Sequence, residues 1–155
     1  MATLFYISLV LHITGVVLLA GTNLLGYFVS KRFWSAVAIN VNKAIVINSI
    51  TIDFARITAI GGVLTILSGL TMVFVLHGAV ASQLWFRIKM MLVLFIILNA
   101  LLVERPQNSK LKKILSEEML GKDSLAVIKS RLGFYYALQF LMLLSIFVLS
   151  VFKFS

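Results

Sequence analysis

Two side chains in this 155-residue chain are at odds with their surroundings: His12 and Lys89. Each lies in an apolar run long enough to cross a bilayer. An ionisable group at such depth is costly and usually faces inward to a task. His12 falls roughly 12 Å below the outer end of the first run, at about 1.5 Å per helical residue. Lys89 falls roughly 8 Å inside the third run by the same rise. Both are therefore expected in the outer half, at similar depth. An imidazole there is either a core group bonded to a neighbouring helix or an axial ligand, since neutral imidazole suits iron. An amine there either snorkels to the surface or, desolvated, acts as a ligand or proton carrier.

The other ionisable candidates have plainer accounts. Arg87 is expected to snorkel or to meet an anionic group near the outer surface. Arg56 follows Asp53 at helical spacing, which favours a local ion pair. His77 stands at the outer end of the second run, where water reaches it, and reads as a solvated loop histidine. Around His12 the faces are small and polar: Ser8, His12, Gly15, Thr22 and Gly26 on the first run. Thr58, Gly61, Gly62, Thr65, Ser68, Gly69 and Met72 form the matching stripe on the second. Such stripes let membrane helices approach closely. They also leave room for a flat ligand beside His12, with Gly15 and Gly69 next to it.

The elements that must position these groups follow from composition. Hydrophobic residues make up 61% and charged residues 12%, with mean hydropathy +1.08. Such a chain cannot cover its surface with polar groups, so a soluble globule and intrinsic disorder are both excluded. A helix needs roughly 20 apolar residues to cross hydrocarbon, and only a helix satisfies its own backbone there. Four stretches qualify, at about residues 4–28, 57–76, 84–103 and 132–152. The first lacks a basic start and is too long for a cleavable signal. The expected fold is an all-α integral membrane protein, one domain over residues 1–155. It is a four-helix transmembrane bundle with interfacial amphipathic helices in its two cytoplasmic loops, at about 34–55 and 107–130. The 34–55 segment can also be a long cytoplasmic extension of the second span. Pro106 is expected to end the third span. Trp34 and Trp85 fall near opposite membrane edges.

Charge sets the direction. Lys and Arg total 14 against 5 acidic residues, giving +9. Lys31, Arg32, Lys43 and Arg56 precede the second span. Arg105, Lys110, Lys112, Lys113, Lys122, Lys129 and Arg131 lie between the third and fourth, whereas 77–83 carries no base. Basic loops stay in the cytoplasm, so both termini are expected outside, in a bacterial inner membrane. The bases would meet anionic lipid rather than nucleic acid.

Several chemistries are excluded. With no cysteine there are no disulfides, thiolate metal sites, iron–sulfur clusters or thiol nucleophiles. No phosphate-binding glycine loop, HExxH pair or Ser/His/Asp set is present, and no Asp or Glu falls inside a predicted span. Glu117 and Glu118 are expected to be solvated. Tyr135, Tyr136 and Gln139 are expected to be interfacial aromatics and one interhelical hydrogen bond.

Leu11–Gly21 (LHITGVVLLAG), Arg56–Leu70 (RITAIGGVLTILSGL) and Leu84–Ile97 (LWFRIKMMLVLFII) occur in that order, and the chain closes on VFKF at 151–154. These segments resemble the HemJ-like membrane protoporphyrinogen IX oxidases and their small four-helix relatives. The resemblance implies a helical bundle that binds haem b, works in an oligomer and relies on a first-span His and a third-span Lys. Those map onto His12 and Lys89, and the family's Arg maps onto Arg56. The chain departs from the pattern at Asn23 and Leu24, where the family carries an Arg, and at Asn99, where a His tends to stand. The family's entry to the last span is replaced by RLGFYYALQF at 131–140.

The leading expectation is therefore a b-type haem membrane oxidoreductase or electron carrier. It would act on a tetrapyrrole such as protoporphyrinogen or exchange electrons with quinone. His12 would be the iron ligand, Lys89 a second ligand or base, and Arg56 a further catalytic group. Two alternatives remain open: a non-enzymatic membrane subunit packing on larger partners, or a small transporter or channel lined by Lys89 and His12.

Overall fold

The computed structural model describes residues 1–37, 39–116 and 122–152, and all its regular structure is helical. The order is α1 (Ala2–Val37), α2 (Val41–Val75), α3 (Leu84–Asn99), a π-helical turn (Ala100–Glu104), α4 (Arg105–Ser116) and α5 (Lys122–Phe152). Four helical stretches among the described residues are long and apolar enough to cross a membrane.

α1 packs most extensively on α2, then on α5, and α5 packs on α3. Across the molecule the order is thus α2, α1, α5, α3. The α1–α2 seam is built on glycine. A Cβ at Gly15 would collide with the Thr65 hydroxyl and lie 2.8 Å from the Gly61 carbonyl oxygen. A Cβ at Gly61 would lie 2.9 Å from the Leu18 Cβ. Backbones this close are the usual use of small residues between apolar helices. Hydroxyls along the seam satisfy themselves on their own helix, Thr65 on Gly61 and Thr22 on Leu18. Thr58 also reaches across to Thr22 at 2.8 Å.

The 36-residue α1 is roughly 54 Å long at about 1.5 Å per residue, well beyond roughly 30 Å of hydrocarbon. Its far end carries Phe33 and Ala36, which form a buried cluster with Ala44, Leu111, Ile128 and Leu132. This cluster ties α1, α2, α4 and α5 together at the end that bears the basic residues. A second cluster of Ile96, Met142 and Ile146 joins α3 to α5 only.

Of the two readings of residues 34–55, the structure has the long extension of the second helix and not a separate helix: α1 runs to Val37, and α2 starts at Val41 and continues unbroken. Asn40 supplies the reason, since its extended backbone and its side-chain oxygen cap the Lys43 N–H. Pro106 does not end the third helix. Proline cannot donate to the carbonyl four residues back, and its ring crowds that carbonyl. The chain widens just before it instead, the Arg105 N–H reaching the Ala100 carbonyl in a π turn, and helix resumes as α4. The 107–130 segment is accordingly shared between α4 and the start of α5. Glu117, Glu118 and the last two residues of the VFKF motif lie outside the described residues.

Candidate functional site

His12 faces α2. Its Nδ1 lies 2.9 Å from the Thr65 carbonyl oxygen and 3.1 Å from the Ser68 hydroxyl. A carbonyl can only accept, so the ring N–H is on Nδ1 and Nε2 keeps its lone pair. Gly69 makes the approach possible, because a Cβ there would lie 3.2 Å from the His12 Cε1. Ser68 is buried, 5% exposed, and also donates to the Leu64 carbonyl. Its remaining lone pairs are therefore free to accept from the imidazole.

Lys89 is half-buried and reaches across to another helix. Its ammonium donates to the Ser150 hydroxyl on α5 at 3.0 Å, and it is close enough to act electrostatically on His12. The structure thus bonds each group to a neighbouring helix, His12 to α2 and Lys89 to α5. Arg56 is not brought to them. It is exposed, paired with Asp53 at 3.5 Å, and lies roughly 14 Å along α2 from Thr65. The open sides of Gly15 and Gly69 are filled by α2 and by the His12 ring respectively, so protein takes the room beside them. His77 is exposed in the turn after α2, with a positive φ of 51°.

Among the described residues, no group of three or more His, Asp or Glu could hold a bare metal ion. A lone imidazole beside an amine can serve iron only where a macrocycle supplies the other ligands.

A second polar region lies at the opposite end of the seam, and it was missed in the sequence. Glu104, in the π turn, accepts a hydrogen bond from the Tyr135 hydroxyl at 2.7 Å. Tyr135 and Tyr136 are 3% and 6% exposed, packed inside the bundle near the start of α5. Gly26 admits the Tyr136 ring, since a Cβ there would lie 3.0 Å from its Cε1. Asn23, Glu104, Tyr135 and Tyr136 line one narrow cleft with Thr22 and Thr58. Just before the π turn, Asn99 donates to Gln139 at 3.1 Å, the interhelical bond expected of Gln139. Asn23 belongs to this buried polar set, whereas Asn99 is half-buried and outside the cleft. A span that ends at Pro106 puts Glu104 at its solvated edge, which hides the carboxylate from a reading of the sequence. A carboxylate directly after the apolar run, with a Tyr-Tyr pair opening the next span, was the available signal.

No family model, curated protein or solved structure matches this chain.

Proposed function

We propose that this is an integral membrane protein that binds haem b through His12 and works in electron transfer or as an oxidoreductase. Tetrapyrrole oxidation is the reaction to which the HemJ-like resemblance points. The observation that carries the proposal is the His12–Thr65 bond. A ligating histidine commonly donates its other ring N–H to a carbonyl, which fixes the tautomer and leaves one nitrogen for the metal. His12 has that arrangement. Lys89, half-buried on α3 and bonded to Ser150 of α5, would be the second group of the site, as axial ligand or as a charge that tunes it.

The donor set fits haem iron; neither of two clefts described by the structure includes His12. A porphyrin would therefore lie on an open face that lipid or a second copy of the chain closes. Bound there, haem would supply one-electron chemistry. The chain's own part is to hold the imidazole in one tautomer, to place the Lys89 charge and to exclude water. Only 11% of the most apolar window of each of the first three spans is buried, and 28% of the fourth. Surfaces that bare suit lipid and oligomer contacts in a membrane. The basic loops favour a topology with both termini on the outer side, in a bacterial inner membrane.

Visible absorption of the purified protein tests this. The expected result is a b-type spectrum that His12→Ala abolishes and His77→Ala leaves intact. A colourless preparation made with ample haem supply overturns it. The same exposed faces favour one alternative, a non-enzymatic subunit packed on larger partners, for which co-purification of a fixed partner is the positive sign.

A further inference from the structure

The cleft beside Glu104 holds unpaired polar groups that the His12 site does not use. Asn23 is 7% exposed and Tyr136 is 6% exposed. Among the described residues, neither the Asn23 amide nor the Tyr136 hydroxyl has a hydrogen-bond partner, and Glu104 has one only, Tyr135. Yet no described side-chain nitrogen or oxygen is both sealed and unpaired. These atoms therefore reach open space, and the space they share is the cleft. It has room for about one water. Buried waters sit where about three polar groups would otherwise lack partners, which is the situation here. The carboxylate also stands in a π turn, a distortion that recurs at functional sites.

We propose that this cleft binds one water between Asn23, Tyr136 and Glu104, and that Glu104 exchanges a proton through it. The Tyr135 hydroxyl holds one carboxylate oxygen, Oε2, and leaves Oε1 to face the water. In uptake, a hydronium ion in the cleft gives one proton to Oε1, leaving neutral water and a neutral carboxyl. Release is the reverse, and no electrons move. The groups around Glu104 are Thr22 and Asn23 of α1, Thr58 of α2, and both tyrosines of α5. No basic side chain lines the cleft among the described residues, and the only charge within electrostatic reach is the neighbouring Arg105. A metal ion is a poorer occupant, since a single carboxylate is the only anionic donor. The proposal rests on the cleft alone and is independent of haem.

Infrared difference spectroscopy of the purified full chain, titrated between about pH 4 and about pH 10, tests it. A protonated-carboxyl band should grow as pH falls, shift in deuterated water and vanish in Glu104→Gln. Tyr135→Phe should move it, because one hydrogen bond to the carboxyl is lost. A sharp water band, shifted by oxygen-18 water, should disappear in Asn23→Leu. Absence of a pH-dependent carboxyl band in the wild type overturns the proposal, as does a water band insensitive to Asn23→Leu. If Glu104→Gln fails to fold, a carboxyl band unmoved by Tyr135→Phe is itself sufficient to reject the assignment. The haem spectrum is a separate readout, so failure here and failure of the His12 site are distinguishable.

Discussion

The Nδ1 of His12 lies 2.9 Å from the carbonyl oxygen of Thr65, 53 positions away in the chain. The contact is made by backbone on one side, so no substitution at Thr65 removes the acceptor. It fixes the imidazole to α2 and leaves Nε2 as its only basic nitrogen. The proposal for the His12 site follows from that orientation.

Gly69 should be the most sensitive neighbour of this histidine. Gly69→Val adds bulk where a Cβ alone would lie 3.2 Å from the ring. The ring must turn, and the Thr65 bond weakens. A haem-loaded wild type should lose at least half of its absorbance in this variant. Retention of the full spectrum would show that the ring orientation does not matter for binding.

Lys89→Met removes the ammonium and its bond to Ser150 while keeping the length of the stem. The expected outcome is a shifted spectrum and a changed midpoint potential, with folding intact. Ser150→Ala should produce a smaller change in the same properties. An identical potential in Lys89→Met would remove Lys89 from the site.

The α1–α2 seam supplies a stability test. Gly15→Val forces a side chain into the Thr65 hydroxyl and the Gly61 backbone, and overpacking of this kind costs about 1–3 kcal/mol. Gly21→Ala meets nothing within 4 Å and should stay within about 0.5 kcal/mol of wild type. Thermal unfolding in detergent, run on both, checks the contrast.

Asn99 and Gln139 make an interhelical bond between α3 and α5. Such bonds in membrane proteins average about 0.6 kcal/mol in double-mutant cycles. Alanine substitutions at each position, alone and together, should return a coupling near that value. Zero coupling would mean the pair is not formed in solution.

At the basic end, Leu111 is 3% exposed and packs with Phe33 and Leu132. Leu111→Ala should cost about 2–5 kcal/mol, as for other buried leucines. Arg56→Gln, which breaks only an exposed ion pair, should cost less than about 1 kcal/mol. Chemical denaturation of the two variants distinguishes a packed cap from a loose loop.

Much of the architecture is written in the order of residues. Long apolar runs can only be helices where water is scarce, so four spans and their limits at His77 and Gln83 are legible without coordinates. The position of His12 and Lys89 along their helices is equally legible, because helical rise converts residue number into distance. What the sequence could not supply is which helix each group faces. His12 bonds α2 and Lys89 bonds α5. The π turn and the Glu104 cleft were out of reach for the same reason. Whether Pro106 stops a helix or merely widens it depends on what packs against the turn. Here α5 supplies Tyr135 as partner for the carboxylate that a broken helix would have left in water. Periodicity and charge are properties of one strand of chain, whereas the pairing of buried polar groups is decided only when separate helices come together.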